Sequence, residues 1–162
     1  MNDLLNKKSV LRVKEFLDKN NLNIKLIVLK KTAKTAIDAA NSLGTEVGAI
    51  VKSLIFKNYE DSKYYLCLVS GDQYVSFDKL YKIIGHKTIK GTAKECKKLT
   101  GFSIGGVSPF GHTNSPNKIF IDNNLKKYDL IFAAGGHPHV VFSITYKNLI
   151  KYSNAIEQSI VD

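Results

Sequence analysis

The stretches "AIVKSLIFK", Ala49 to Lys57, and "KYYLCLVSG", Lys63 to Gly71, are the two strongest strand signals in the chain. β-branched and aromatic residues fill both, and the turn-like "NYEDS", residues 58–62, separates them. In the first strand both alternating faces carry apolar residues. This pattern predicts a strand that is covered on both sides.

Short helical and strand patterns alternate through the rest of the chain. Helices are predicted over residues 4–20, 35–44, 76–85, 92–101 and 146–154, and strands over 24–29, 118–125, 128–136 and 140–145. Thr35 is a predicted N-cap, and Thr92 with Glu95 forms a capping box. Because the order lacks a regular βαβ rhythm, we predict one mixed α/β (α+β) domain over residues 1–162. Its sheet is expected to be curved and barrel-like, mostly antiparallel, and surrounded by short helices.

Length, net charge and cysteine content limit the class of protein. The 162 residues carry a formal net charge of +10, which favours a polyanionic partner, with nucleic acid first. Arg12 is the only arginine, and such a lysine bias can also reflect an AT-rich genome, so both explanations stay open. The absence of an apolar run or a signal-like N-terminus predicts a cytoplasmic protein that does not bind membranes. Cys67 and Cys96 match no metal or redox pattern and are expected to be buried free thiols, and a monomer is the default expectation.

Lys52 is the most unusual residue of the first strand. With period 2 it shares a face with Ile50, Leu54 and Phe56, all large and apolar. An unpaired ammonium is costly to bury, so the side chain either extends to water at the sheet edge or points into a polar pocket. In a pocket it would meet a carbonyl oxygen, an oxyanion or a phosphate.

Two glycine-rich corners are the other candidates for a site. In "TGFSIGGVSPFGH", residues 100–112, Gly105 and Gly106 allow close approach of a ligand to the backbone, and Pro109 fixes the turn. This loop is either an anion-accepting nest or a structural corner. In "FAAGGHPHVVF", residues 132–142, Gly135 and Gly136 precede His137 and His139. One imidazole beside a ligand is the preferred interpretation, and a plain strand-to-strand turn is the alternative.

Several chemistries lack support in the sequence. Two histidines are too few for a zinc site, so no metal is expected, although a metal-dependent hydrolase built on His137 and His139 remains a weaker hypothesis. No GxSxG elbow and no HExxH motif is present, which argues against a serine nucleophile or a zinc protease.

The motifs "EVGAIVKSL", "LVSG", "GFSIGGVSP" and "AAGGHPHVVF" resemble, in this order, those of the YbaK/EbsC family. This family comprises free-standing relatives of the editing insertion domain of prolyl-tRNA synthetase. The resemblance runs from about Ile24 to Tyr152. It implies a YbaK-like fold and hydrolysis, in trans, of the ester of mischarged tRNA without a metal or organic cofactor. Its strand lysine matches Lys52, its GxxxP loop matches Gly105 to Pro109, and its C-terminal glycine corner matches Gly135 and Gly136, with His137 and His139 following.

The resemblance makes Lys52 the expected catalytic residue, and Gly105, Gly106, Pro109, Gly135, Gly136, His137 and His139 the expected substrate-binding residues. An aminoacyl ester is already activated, so placing a water and stabilising the oxyanion suffice. Steric exclusion favours a small amino acid, namely Ala, Ser, Cys or Thr. The expected partner is the acceptor end of mischarged tRNA, with an aminoacyl-tRNA synthetase as a second. Two alternatives stay open: a module that binds tRNA or aminoacyl-adenosine without turnover, and a synthetase-associated accessory protein.

Overall fold

The computed structural model describes residues 2–30, 35–59 and 63–162. In this part of the chain the helices are α1 (Lys8–Lys19), α2 (Ala36–Leu43), α3 (Phe77–Ile84), α4 (Ala93–Thr100) and α5 (Tyr146–Ser153). The strands are β1 (Ile27–Val28), β2 (Val51–Asn58), β3 (Tyr64–Ser70), β4 (Thr88–Lys90), β5 (Lys118–Asp122), β6 (Ile131–His137), β7 (Val140–Ile144) and β8 (Ile156–Gln158). Short 3₁₀ helices cover Asn2–Asn6, Val47–Ala49 and Asn123–Lys127.

The strands form two sheets. A five-stranded sheet has the order β4-β2-β3-β5-β8, and a three-stranded sheet has the order β1-β7-β6. Strands β3, β5 and β8 pair in parallel, and the other pairs are antiparallel. The predicted mixed α+β class with mostly antiparallel pairing is therefore confirmed. Within the described residues we find no closed barrel, because the two sheets meet only at a parallel bridge between Ile50 and Phe132.

Strand β3 lies at the centre of the molecule. All seven of its residues are buried. Leu66 and Leu68 belong to the larger core, which also includes residues of α1, β6 and β7, whereas Cys67 and Val69 pack in a second core with Leu80 of α3. Strand β2 follows the same division, which confirms that it is covered on both sides.

The helix boundaries follow local capping chemistry. The Thr35 hydroxyl accepts a hydrogen bond from the Asp38 amide at 3.1 Å, and Thr92 and Glu95 form the predicted reciprocal pair. Helices α2 and α3 end at the left-handed glycines Gly44 and Gly85.

Other boundaries differ from the sequence prediction. Only Ile27–Val28 of the run 24–29 pairs as a strand, and the first α-helix begins at Lys8, after a 3₁₀ helix. Strand β5 ends at Asp122, because that carboxylate accepts the amides of Asn124 and Ile160, both at 2.9 Å. The three-residue strands β4 and β8 were not predicted. The turn predicted at residues 58–62 lies partly outside the described residues.

Two further expectations concern the cysteines and membranes. Cys67 and Cys96 are buried free thiols, as predicted. In the part of the chain that the structure describes, no helix has the length and apolarity of a membrane span.

Arg12 of α1 holds the first glycine loop in place. Its guanidinium donates to the carbonyl oxygens of Gly101 at 2.6 Å and Gly111 at 3.1 Å. It also stacks over the Phe102 ring, 4.9 Å from the centroid. The only arginine of the chain therefore binds backbone at both ends of a loop that strand pairing does not restrain.

We predict that Arg12→Met destabilises the protein by about 2 kcal/mol or more, because two carbonyls lose a charged donor. Urea unfolding measures this difference in the free energy of unfolding. Lys14→Met on the same helix is the matched control, since its ion pair with Asp18 is exposed. Equal stability of the two variants would contradict the role assigned to Arg12.

Candidate functional site

A cavity of about 450 Å³ lies where the two sheets meet. Its walls come from α2, β2, the turn after β3, the end of β4, α4, the first glycine loop and the β6–β7 hairpin. Most lining residues are apolar, and many are small, among them Ala36, Ala39, Gly71, Gly91 and Ala134. None of the described lining residues is Asp or Glu. The two charged lining residues are Lys52 and Lys90.

Lys52 is half-buried in the wall of this cavity. Its ammonium donates to the carbonyl oxygen of Gln73 and lies 4.6 Å from the centroid of the Tyr74 ring. Burial lowers the pKa of Lys52 below its ordinary value, the charge of Lys90 lowers it further, and the carboxylate of Asp72 acts in the opposite direction. The cation is thus held at the cavity wall by one carbonyl and one ring, both on the turn after β3.

The cavity follows a segment of the β2 edge that pairs with no other strand among the described residues. The Asn58 amide donates to Lys63 on the β3 side, and the Ile55 carbonyl accepts from Gly91 on the β4 side. Since backbone groups alternate along a strand, Ser53 directs its N–H and C=O away from β3. Strand β4 pairs with β2 only from Phe56 to Asn58, so it does not reach Ser53.

Ser53 adds a side-chain group to this edge. Its hydroxyl oxygen is buried and has no hydrogen-bond partner among the described residues. Ser53 lines the cavity beside Lys52. A ligand that satisfied this hydroxyl would recover the free energy of an unmade hydrogen bond.

The first glycine loop forms the opposite wall. The Gly106 amide donates to the Ser103 carbonyl at 2.9 Å, and Gly105 between them has φ +87°. This is a turn that needs glycine at its third position. Gly105 lines the cavity, but the Gly106 amide is used within the turn. The Gly106 amide therefore already has a partner in the turn, and its contact with a ligand stays a prediction.

The two glycine corners pack directly against each other. A Cβ on Gly106 would lie 2.8 Å from the Cα of His137, and a Cβ on Gly105 would lie 3.5 Å from the Pro138 ring. Pro138 lines the cavity at this contact. The structure thus brings together two motifs that are about 30 residues apart in the sequence, and their contact closes one side of the cavity.

Gly135 and Gly136 lie inside β6, within the strand predicted over residues 128–136. They form an irregularity in the pairing with β7, between Ala134 and His137. Gly136 has φ +99°, and a Cβ there would lie 2.5 Å from the carbonyl oxygen of Ser9 in α1. Neither glycine lines the cavity. Their observed contacts are to α1 and to the neighbouring strand.

His137 and His139 flank the tight turn between β6 and β7. Their rings are perpendicular, with centroids 5.5 Å apart, and the His139 amide donates to Nδ1 of His137 at 3.1 Å. Burial, His139 and Lys7 lower the pKa of His137. Within the described residues, no third His, Cys, Asp or Glu joins them in a group that could hold a metal. Both lie next to the lining residue Pro138 without lining the cavity themselves.

Pro109 lies elsewhere. It lines a second cavity of about 420 Å³, together with Phe16 of α1 and Tyr152 of α5. The chain passes from the first cavity at Val107 through the buried Ser108 to the second cavity. Pro109 is therefore not a lining residue of the cavity that contains Lys52.

Sequence analysis missed Lys90 and Tyr74. Lys90 approaches Lys52 because β4 pairs with β2, placing Lys90 opposite Phe56. Tyr74 approaches Lys52 because the turn after β3 folds over the strand. No local pattern identifies either residue, since each contact depends on a long-range pairing.

Comparison with known proteins identifies the family. The model of the aminoacyl-tRNA editing domain matches residues 30–152, which include both glycine corners and Lys52. The chain belongs to the aminoacyl-tRNA editing domain family. The resemblance found in the motifs is thereby confirmed, and we refer to the protein below as the editing domain.

Two relatives illustrate the range of the family. Protein YwhH of Bacillus subtilis (strain 168), uncharacterized, is 30% identical over 122 residues, which are 75% of this chain and 76% of YwhH. The proline–tRNA ligase of Thermosipho melanesiensis is 33% identical over 111 residues, which are 68% of this chain but 19% of the ligase. The editing domain thus corresponds to a small part of that ligase.

A crystal structure described as a candidate trans-editing enzyme for prolyl tRNA synthetase has the same fold. It superposes with a TM-score of 0.89 at 34% identity, covering 96% of this chain and 98% of the other. The YbaK-like architecture of the editing domain is therefore confirmed over nearly its whole length.

We predict that Gly136→Ala destabilises the domain more than Gly44→Ala. Both glycines have positive φ, which costs roughly 1–2 kcal/mol for alanine. A Cβ at Gly44 meets nothing within 4 Å, whereas a Cβ at Gly136 meets α1. Urea unfolding should show a further loss of about 1–3 kcal/mol for Gly136→Ala. Equal losses would contradict the assignment of Gly136 to helix packing.

Proposed function

We propose that this editing domain is an aminoacyl-tRNA deacylase that acts in trans on mischarged tRNA carrying Ala, Ser, Cys or Thr. The observation that carries the proposal is Lys52, a half-buried cation in the wall of a largely apolar cavity next to an unpaired strand edge. An ester carbonyl in this cavity would meet a cation and backbone groups in a poorly solvated space, where such contacts stabilise an oxyanion most.

Lys52 is the proposed catalytic residue. Its ammonium would release the Gln73 carbonyl and turn toward the ester, or toward the phosphate and ribose of the terminal adenosine. The exchange is inexpensive because one acceptor replaces another. A water positioned by a ribose hydroxyl would attack the ester carbonyl, and the ester C–O bond would break to release the amino acid and the ribose hydroxyl of the terminal adenosine. No covalent nucleophile is needed, because the ester is already activated.

The substrate's α-ammonium group needs acceptors that the cavity provides without carboxylates. The Ser53 carbonyl and hydroxyl at the free edge of β2 are such acceptors, and both lie beside the proposed catalytic residue. Gly105 would bound the aminoacyl group from the opposite wall. The proposal gives this role to Gly105 rather than to Gly106, because the Gly106 amide donates to the Ser103 carbonyl.

The cavity walls favour a small aminoacyl side chain. Ala36, Ala39, Gly71 and Ala134 line it, and the Gly91 backbone packs against Ile55 so closely that a Cβ there would lie 2.5 Å away. We propose that the contact between Gly91 and the Ile55 side chain limits the depth of the cavity and so excludes larger aminoacyl side chains by overlap. We also propose that the protein acts in the cytoplasm as a monomer and associates with an aminoacyl-tRNA synthetase.

We predict that Lys52→Ala lowers deacylation about 10²–10³-fold. The measurement is loss of radiolabelled amino acid from tRNAs charged with Ala, Ser, Thr, Cys and Pro, including mismatched pairs. Lys57→Ala is the matched control, because Lys57 lies on the same strand but pairs with Glu95. Unchanged rates in Lys52→Ala would refute the catalytic assignment. Binding of tRNA without ester loss by the wild type would instead support the non-catalytic alternative.

We predict an alkaline limit to activity set by Lys52. If the ammonium is the working form, kcat/KM falls as the pH rises through the lowered pKa of Lys52. Lys90→Gln removes a charge that lowers this pKa, so the limit should move to higher pH. Asp72→Asn removes a charge that raises it, so the limit should move to lower pH. Initial rates, corrected for uncatalysed ester hydrolysis, give the profile, and two unmoved limits would contradict the prediction.

A further inference from the structure

Three exposed aromatic side chains follow one another from the cavity wall at Tyr74 to helix α3. Tyr74, Phe77 and Tyr81 are 75%, 52% and 50% exposed, and we call them the aromatic strip. Phe77 and Tyr81 are four residues apart on α3, so they share one face of that helix. Leu80 is the one buried residue of α3, so this helix packs against the core and leaves both rings exposed to solvent.

The aromatic strip lies on the Lys52 side of the five-stranded sheet. Lys52 and Phe56 share a face of β2, and Lys90 lies opposite Phe56 in the neighbouring strand. The Phe77 ring contacts the Phe56 ring edge-on at 5.5 Å, and the Tyr74 ring contacts the Lys52 ammonium. The strip therefore continues from the cavity along about 13 Å of β2.

Lysines outnumber acidic residues around the strip. Lys52 and Lys90 line the adjoining cavity, and Lys82 follows Tyr81 on α3. Lys79 donates to the Val161 carbonyl and is partly buried. Asp72 and Asp78 are the acidic groups on the same segment, and Asp162 lies beside it, since its amide donates to the Tyr74 carbonyl at 3.1 Å. Exposed rings among cations fit a polyanion with flat bases better than an apolar partner surface.

We propose that the aromatic strip binds the unpaired 3′ end of tRNA by stacking its bases, which leads the terminal adenosine to the cavity. The inference rests on the proposed function for its choice of RNA. The lysines would neutralise phosphates, and Tyr74 at the cavity mouth would contact the nucleotide nearest to Lys52. Stacking accepts any base, so the strip would provide affinity without selecting a tRNA sequence.

The test compares an uncharged tRNA with the same tRNA lacking its unpaired 3′ nucleotides. Phe77→Leu and Tyr81→Leu keep apolar bulk but remove the flat ring. We expect the double variant to bind intact tRNA about tenfold or more weakly and truncated tRNA as the wild type does. The variant Tyr81→Phe keeps the ring and should bind intact tRNA nearly as tightly as the wild type. Leu130 is 48% exposed and lies outside the strip, so Leu130→Ala should leave the affinity for tRNA unchanged.

A fluorescent base reports the contact directly. With 2-aminopurine in place of the unpaired base that precedes the CCA end, stacking on the wild type should quench the emission. The emission should stay bright with the single variant Tyr81→Leu. Because Tyr81 lies on the surface, this substitution leaves the core intact. Unchanged quenching and affinity in the leucine variants would overturn the proposal. Equal loss for intact and truncated tRNA would also overturn it, because the effect would then not concern the 3′ end.

The assays separate this inference from the proposed function. Binding and quenching need no ester, so a wild type that stacks the 3′ end but releases no amino acid refutes the deacylase and supports the strip. If the leucine variants deacylate and bind tRNA as the wild type does, the role of the strip is refuted and the deacylase proposal is not. Loss of association with a synthetase in the leucine variants, with tRNA binding unchanged, would assign the strip to a protein partner and overturn the proposal.

Discussion

The incomplete pairing of strand β2 is the constraint on which the site depends. Its inner edge is bonded to β3 throughout. Among the described residues, the β4 side covers its outer edge from the Ile55 carbonyl to Asn58, and the second sheet meets the chain at Ile50, just before the strand. The edge between these points faces a cavity instead of a strand. A lysine and a serine on this segment can therefore meet a ligand, although both faces of the strand are covered by apolar cores.

The opposite wall depends on close backbone packing rather than on side chains that face a ligand. Gly106 packs on His137, Gly136 packs on α1, and Arg12 binds the carbonyls at both ends of the first loop. These contacts fix the position of Gly105 and Pro138 in the cavity wall. Glycines of this kind matter to function through shape, so their substitution affects the folding equilibrium before it affects chemistry.

Electrostatics connects the interior of the cavity to the surface around it. Lys52 loses hydration and lies near Lys90, and Asp72 opposes part of this effect, so its charge state depends on neighbours from two other segments. The same face continues outward into exposed rings and lysines. The site thus joins an apolar interior to an exterior of exposed rings and lysines.

The amino-acid sequence by itself determined the local features: strands β2 and β3, the capped helices, the unusual position of Lys52 and the motifs of the family. Each of these depends on residues within one or two turns or strand periods. Only the tertiary structure decided which residues share the cavity. It added Lys90, Tyr74 and Ser53, placed Pro109 in the wall of a second cavity, and showed that Gly136 packs against α1. Strands β4 and β8 were missed for the same reason, because three-residue strands are specified by the partner they pair with rather than by their own pattern.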